Sequence, residues 1–298
     1  MKKIIECVPN FSEGRDLNKI DKIVEPFRGK NSVKLLDYQY DDNHNRMVAT
    51  AIGEPNALKD SIISAIGIAL ENIDLRVHKG QHPRMGAVDV VPLIPIKNMS
   101  IHEAIELSKE VAESISKEYN LPVFLYEKSA TRPERQNLSN IRKGQFEGME
   151  EKLRLPDWNP DYGPSEVHPT GGVTAVGVRM PLIAFNVNLD TNNPEIADNI
   201  AKKIRHIGGG LRYCKAIGVN VKDKGCVQVS MNLTDYTKTS IYMAFELIRI
   251  EARRFGINIL GSEIVGLVPL EALTDTAAYY LGIENFSLDQ VLEYRIME

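Results

Sequence analysis

At 298 residues, with 43% hydrophobic and 26% charged side chains, the chain has the composition of a globular protein of one large or two medium domains. Its formal net charge of −4, with no extended basic run, argues against a general attraction to nucleic acid. No apolar run approaches the ~20 residues needed to span a bilayer, and Cys7, Cys214 and Cys226 are an odd, scattered set that argues against a disulfide framework. The expected compartment is the cytoplasm, because the opening Met1-Lys2-Lys3 leads into a stretch too short and polar for a secretion signal.

In chain order, Ile4 to Val8 reads as a strand, followed by a turn at Pro9 to Gly14 and a helix from about Asp16 to Pro26. Val33 to Tyr40 and Met47 to Ile52 form an expected hairpin across the polar turn Asp41 to Arg46. Pro55 suits the first turn of a helix running to about Asn72. A polar loop then feeds the apolar run Ala87 to Pro95, which reads as a buried strand. Ser100 and Glu103 have capping-box spacing at the head of a helix reaching Lys117. Val123 to Tyr126 is a short strand, and 128–151 is polar and helical in part. The proline-rich stretch Leu155 to Pro164 has the marks of an interdomain connection, which gives expected domains of 1–160 and 161–298.

Beyond it come strands at Val173 to Val178 and Leu182 to Leu189, then a helix from Pro194 to Ile204. Strands at Leu211 to Val221 and Cys226 to Leu233 precede an amphipathic helix from Ser240 to Phe255. A strand near Ile259 to Leu267 and a helix from about Pro269 close the chain. The pattern is that of an α/β (α+β) fold with helices against a largely antiparallel sheet. No sequence repeat joins the halves, although their element patterns are alike. A cleft between two such domains is the default binding site.

The densest chemistry lies in His78-Lys79-Gly80-Gln81-His82-Pro83-Arg84-Met85-Gly86-Ala87-Val88-Asp89. The two histidines stand at the helical i, i+4 spacing of zinc-protease motifs, yet Gly80 and Pro83 argue against a helix. No metal is therefore expected. A lone histidine in such a turn would ordinarily be a satisfied surface group, but the surrounding donors and turn residues favour a functional reading. Gly208-Gly209-Gly210 lacks the strand and Lys-Ser/Thr of a phosphate loop and reads as a helix stop. Asp41-Asp42-Asn43 has Arg46 where a calcium loop needs glycine, so a hairpin turn is expected there. No dinucleotide fingerprint and no Gly-x-Ser-x-Gly nucleophile elbow occurs. What remains is proton transfer by His82, a transferase or isomerase chemistry, with Asn10, Arg46, Lys79 and Arg84 as possible substrate contacts.

The segments Glu6 to Gly14, Asp42 to Arg46, His78 to Asp89, Gly177 to Arg179 and Leu182 to Leu189 occur in an order and form that resembles the glutamate formiminotransferase family. The chain resembles the single-function form without a cyclodeaminase part. The resemblance implies transfer of a formimino group from N-formimino-L-glutamate to N5 of tetrahydrofolate, giving 5-formiminotetrahydrofolate and L-glutamate in histidine degradation. It also implies two subdomains of mixed or antiparallel sheet covered by helices, ferredoxin-like in pattern, and a homodimer. His82 matches the family's catalytic histidine, and Gly163-Pro164-Ser165-Glu166-Val167-His168-Pro169-Thr170-Gly171-Gly172 matches its folate-contacting stretch. Tetrahydrofolate enters as a co-substrate, and no metal is implied. The sequence leaves open another donor, such as formiminoglycine or a formyl-folate, and a non-catalytic folate-binding protein.

Overall fold

A computed structural model describes residues 2–221 and 224–297. The chain forms two compact units that divide between Arg179 and Met180, later than the proline-rich stretch. In the first unit, β1 (Ile4–Cys7) and β2 (Asn10–Phe11) are one strand interrupted at Val8-Pro9, where proline removes a ladder donor. Both pieces pair antiparallel with β4 (Arg46–Gly53) on one side and β5 (Val88–Lys97) on the other. The hairpin partner of β4 is β3 (Val33–Asp41), as its alternation predicts. Beyond β5, strands β6 (Val123–Glu127) and β7 (Thr174–Val178) complete a seven-stranded mixed sheet.

The strand at 174–178, expected in the second domain, is a first-unit element. It lies between β5 and β6, parallel to both, which makes this sheet mixed, one of the two forms expected. Most of β5 and all of β7 are buried on both faces, as suits strands covered from both sides. Helices α1 (Leu17–Val24), α2 (Pro55–Asn72) and α3 (Ile101–Tyr119) cover one face. The capping box at Ser100 and Glu103 forms, and Asn120 closes α3 in the left-handed region at φ 54°. The short helices α4 (Leu138–Arg142) and α5 (Met149–Leu153) lay Ile141, Met149 and Leu153 against Phe124, Val90 and Ala175 on the opposite face. Truncating the fully buried Phe124 to alanine would cost about 3–5 kcal/mol.

The second unit runs β8 (Ile183–Leu189), α6 (Pro194–Ile204), β9 (Cys214–Val221), β10 (Cys226–Leu233), α7 (Ile241–Arg254) and β11 (Ile259–Val265). Its sheet has the order β11-β8-β10-β9 with every pair antiparallel. This is the ferredoxin-like βαββαβ arrangement. The first unit holds the same arrangement in β1, α1, β3, β4, α2 and β5, extended by α3, β6 and β7. The fold repeats where the sequence does not.

Gly208 to Gly210 stop α6 as expected: Gly209 has φ 87°, and a Cβ on Gly210 would stand 2.3 Å from the Ile204 carbonyl oxygen. Helices α8 (Leu270–Leu281) and α9 (Leu292–Met297) complete the chain. Among the described residues no helix is long and apolar enough to cross a membrane.

Candidate active site

Three loops of the first unit meet at one place. They follow β2, join β3 to β4, and join α2 to β5. Asn45, in the left-handed region at φ 48°, is the fastener. Its Oδ1 accepts from the Gly14 amide at 2.9 Å, and its Nδ2 donates to the Lys79 carbonyl at 3.0 Å. The Gln81 amide donates to the Asn43 carbonyl at 3.1 Å, and His82 donates to that of His44 at 3.4 Å. Gly80 permits this approach: a Cβ there would lie 2.2 Å from the His44 carbonyl oxygen. Ser12 ties the first loop to the third, its hydroxyl donating to the Gly86 carbonyl at 2.8 Å. The sequence segments 10–14, 42–46 and 78–89 therefore form one structure.

Half of the expected folate-contacting stretch joins them. The Ala87 amide donates to the Gly171 carbonyl at 2.9 Å, and Val173 donates to Met85 at 3.0 Å. Gly86 and Gly172 face each other with no room for a side chain, a Cβ on Gly86 falling 2.1 Å from the Val173 oxygen. His168 folds back on its own turn, its Nδ1 accepting from the Gly171 amide at 2.9 Å. The other end starts elsewhere: Gly163, at φ 89°, packs against the Leu121 carbonyl beside the head of β6. Just before it, Arg135 is 2% exposed and donates to Asp161 Oδ2 at 2.6 Å, to the Asp157 carbonyl at 3.1 Å and to that of Asn159 at 2.6 Å.

His82 is 7% exposed, and its Nε2 lies 3.7 Å from Oδ2 of Asp89. That gap exceeds a hydrogen bond, and Nε2 has no hydrogen-bond partner among the described residues. Asp89, 1% exposed, instead accepts from the Met85 amide at 2.8 Å and from Arg142 Nη2 at 2.5 Å. Burial lowers the imidazole's pKa from 6.5; the Asp89 charge opposes this, while Arg46 and Arg142 reinforce it. Burial would raise the Asp89 carboxyl, yet His82, Arg142 and the Met85 amide together hold it below 3.8. The result at neutral pH is an uncharged histidine beside a fixed carboxylate.

The proposed substrate contacts divide. Arg46 stands at the start of β4, half-buried, and its guanidinium makes no hydrogen bond or ion pair among the described residues. Burial and the positive charge of Arg142 both lower its pKa, while Asp89 opposes them. Arg84 is occupied: Nη2 and Nη1 grip both oxygens of Glu147 at 2.7 and 3.0 Å. Lys79 gives its carbonyl to Asn45 and leaves its side chain exposed. Asn10 sits half-buried in β2 and donates to the Val8 carbonyl at 3.2 Å. His78 bonds the Asn45 carbonyl through Nε2 at 3.0 Å. Among the described residues, no three His, Cys, Asp or Glu side chains gather as metal ligands.

Sequence reasoning overlooked Asp89 and Arg142. Asp89 carried a usable signal, a single acid inside an otherwise apolar strand, where burial demands a partner. Arg142 lies in the polar stretch after β6 and carried none. The arrangement can move a proton: a neutral imidazole with a free nitrogen, a buried carboxylate to steady its charged form, and an unpaired guanidinium for an anion.

Two family descriptions match the chain along the same division as the structure. "Formiminotransferase domain, N-terminal subdomain" covers residues 4–179, and "Formiminotransferase domain" covers 184–296. The chain is 54% identical to a glutamate formimidoyltransferase of Streptococcus pyogenes serotype M1, over the whole of both chains. It is 43% identical to a glutamate formimidoyltransferase of Thermoplasma acidophilum, covering 98% of this chain and 97% of that one. A formimidoyltransferase-cyclodeaminase of Rattus norvegicus is 41% identical over 99% of this chain, which spans 56% of that longer protein.

Proposed function

The chain belongs to the formiminotransferase family, and from that premise we propose that it is a glutamate formimidoyltransferase, moving the formimino group of N-formimino-L-glutamate to N5 of tetrahydrofolate. The products are 5-formiminotetrahydrofolate and L-glutamate, a step of histidine degradation. The observation that carries the reading in this molecule is the neutral, buried His82 with its open Nε2.

In the transfer, a bond forms between N5 and the formimino carbon, and the bond from that carbon to the glutamate nitrogen breaks. His82 takes the proton that N5 must lose and returns it to the departing nitrogen, which needs it to leave as an amine. Asp89 steadies the imidazolium that exists between the two events, and Arg142 keeps that carboxylate ionised. Each general acid or base role is typically worth about 10²–10⁴ in rate, and holding both substrates in register supplies much of the remainder. Arg46 is the proposed partner of a donor carboxylate. The stretch 163–172 is the proposed folate contact, supported by the bonds that tie its Gly171–Gly172 end to the segment carrying His82.

We place the enzyme in the cytoplasm, supported by three cysteines that are all free and buried. We also propose a homodimer, supported by Leu281, Leu292 and Ile296, which the second unit leaves 70–75% exposed. The function is tested by incubating the protein with tetrahydrofolate and formiminoglutamate, and in parallel with formiminoglycine, while following the N5 adduct. Adduct from formiminoglutamate is the expected outcome. Adduct from formiminoglycine alone would reassign the donor, and none from either would refute the transfer.

A further inference from the structure

A very short helix carries the arginine that holds Asp89. Helix α4 has five residues and ends at Arg142, far below the length at which an isolated helix is stable in water. The Arg142 side chain is lightly fastened: Nη2 reaches Asp89, while its buried Nε has no hydrogen-bond partner among the described residues. The place of that guanidinium is therefore set by the backbone at the end of α4. The last carbonyls of a helix have no partner within it, so groups outside must hold them.

Lys152 supplies most of that hold. Its Nζ donates to the carbonyls of Asn140 at 2.5 Å, Ile141 at 2.6 Å and Lys143 at 3.1 Å. The Arg142 carbonyl between them accepts from the Gln145 amide at 2.8 Å. An ammonium group has three protons, and all three are used. Lys152 belongs to α5, which Met149 and Leu153 seat in the apolar core, and its Nζ lies 4.0 Å from the centre of the Trp158 ring. Burial, joined by the positive charge of Lys143, brings its pKa down to about 8, which still leaves mostly ammonium at neutral pH. Nearby acids are engaged elsewhere or face water: Glu150 pairs with Arg154, Asp157 with Arg132, and Glu151 is exposed.

Lysine caps of this kind ordinarily serve folding; here the cap also reaches the chemistry. On the transfer reading given above, we infer that Lys152 is a positioning residue: by clamping the end of α4 it keeps Arg142 on Asp89 and so sets the charges around His82. The contacts run from Lys152 to the α4 backbone, from Arg142 to Asp89 at 2.5 Å, and from Asp89 to His82 at 3.7 Å. Three charged groups act on the imidazole, Asp89 from β5, Arg46 from β4 and Arg142 from α4. Asp89 favours its charged form and the two arginines oppose it. Releasing α4 withdraws one of the opposing cations and leaves more of the Asp89 charge to the ring, so both changes favour the imidazolium.

The test is NMR titration of the His82 ring in the full-length protein, its signal assigned by loss in His82→Ala, with steady-state kinetics on the same preparations. Lys152→Met should move the His82 midpoint upward by about 0.5 pH or more. It should also lower kcat about tenfold while both KM values stay within about twofold. Lys152→Gln keeps two donors without the charge; it should move both readouts the same way by less, and decides the matter if Lys152→Met does not fold. In an Arg142→Ala background, Lys152→Met should leave the His82 midpoint where that background has it. A shift of equal size there, or an unmoved midpoint in folded Lys152→Met, would overturn the inference. The titration needs no turnover, so wild-type protein that makes no N5 adduct would refute the transfer reading while the midpoint still decides the clamp.

Discussion

The Nε2 of His82 and the Oδ2 of Asp89 stand 3.7 Å apart, too far for a hydrogen bond and near enough for charge to act between them. Asp89 is already held by Arg142 and by a backbone amide, so it is a fixed charge and not a mobile proton acceptor. Asp89 thus offsets part of what burial costs the charged imidazole without taking up its free nitrogen. That combination is what a base that must also become an acid requires.

The first prediction concerns pH. Burial lowers the pKa of His82, so the base form persists below pH 6.5, and kcat/KM should fall only as pH drops through this lowered value. Stability carries the same sign. His78, His82 and His168 all titrate below 6.5 when folded, so the unfolded chain binds protons first. Their contribution is complete above 6.5 and is lost as pH falls through the folded values. Asp89, depressed below 3.8, adds a second loss at stronger acid. Kinetics from pH 5 to 8 and urea midpoints over a wider range check both; a flat kinetic profile would contradict the base role.

Asp89→Asn removes the charge that opposes the effect of burial on His82 and leaves Arg142 uncompensated. Stability should fall by about 3 kcal/mol, the usual scale for breaking a buried ion pair. The acid limb of kcat/KM should move to lower pH, because the carboxylate that favoured the imidazolium is gone. Chemical denaturation and a pH profile of the variant measure the two effects separately.

Two glycines hold the loop junction by having no side chain. Gly86→Ala sets a Cβ 2.1 Å from the Val173 oxygen, and Gly80→Ala sets one 2.2 Å from that of His44. Each should cost about 1–3 kcal/mol through overpacking. Gly80→Ala should also lower kcat, since it displaces the segment that carries His82. Denaturation midpoints and kinetics of the two variants test this.

Arg46→Ala should raise the KM for formiminoglutamate by about 10–100-fold, the worth of a charge-assisted hydrogen bond. Folding should be little affected, because its guanidinium holds no other group of the protein by a hydrogen bond or ion pair among the described residues. Substrate titrations with each partner in turn distinguish a donor effect from a folate effect.

Local signals in the chain carried far. The Ser100 capping box, the hairpin at Asp41 to Arg46 and the helix stop at Gly208 to Gly210 all formed because each is decided by neighbouring residues. His82 was legible because proline and glycine made its loop stiff and non-helical. The parallel insertion of β7 between β5 and β6 was not, since pairing across some 80 residues leaves no periodicity to read. Arg142 escaped for the same reason: its importance comes only from meeting Asp89, 53 positions earlier. Arg84 looked like a ligand group and proved to be occupied by Glu147, a partnership that spacing does not disclose.

The most direct test is His82→Ala, assayed for formation of the N5 adduct with tetrahydrofolate binding measured on the same preparation. Proton transfer through this imidazole predicts a loss of turnover of about 10²–10⁴ with folate affinity retained. Turnover within a few-fold of wild type in that variant would contradict it.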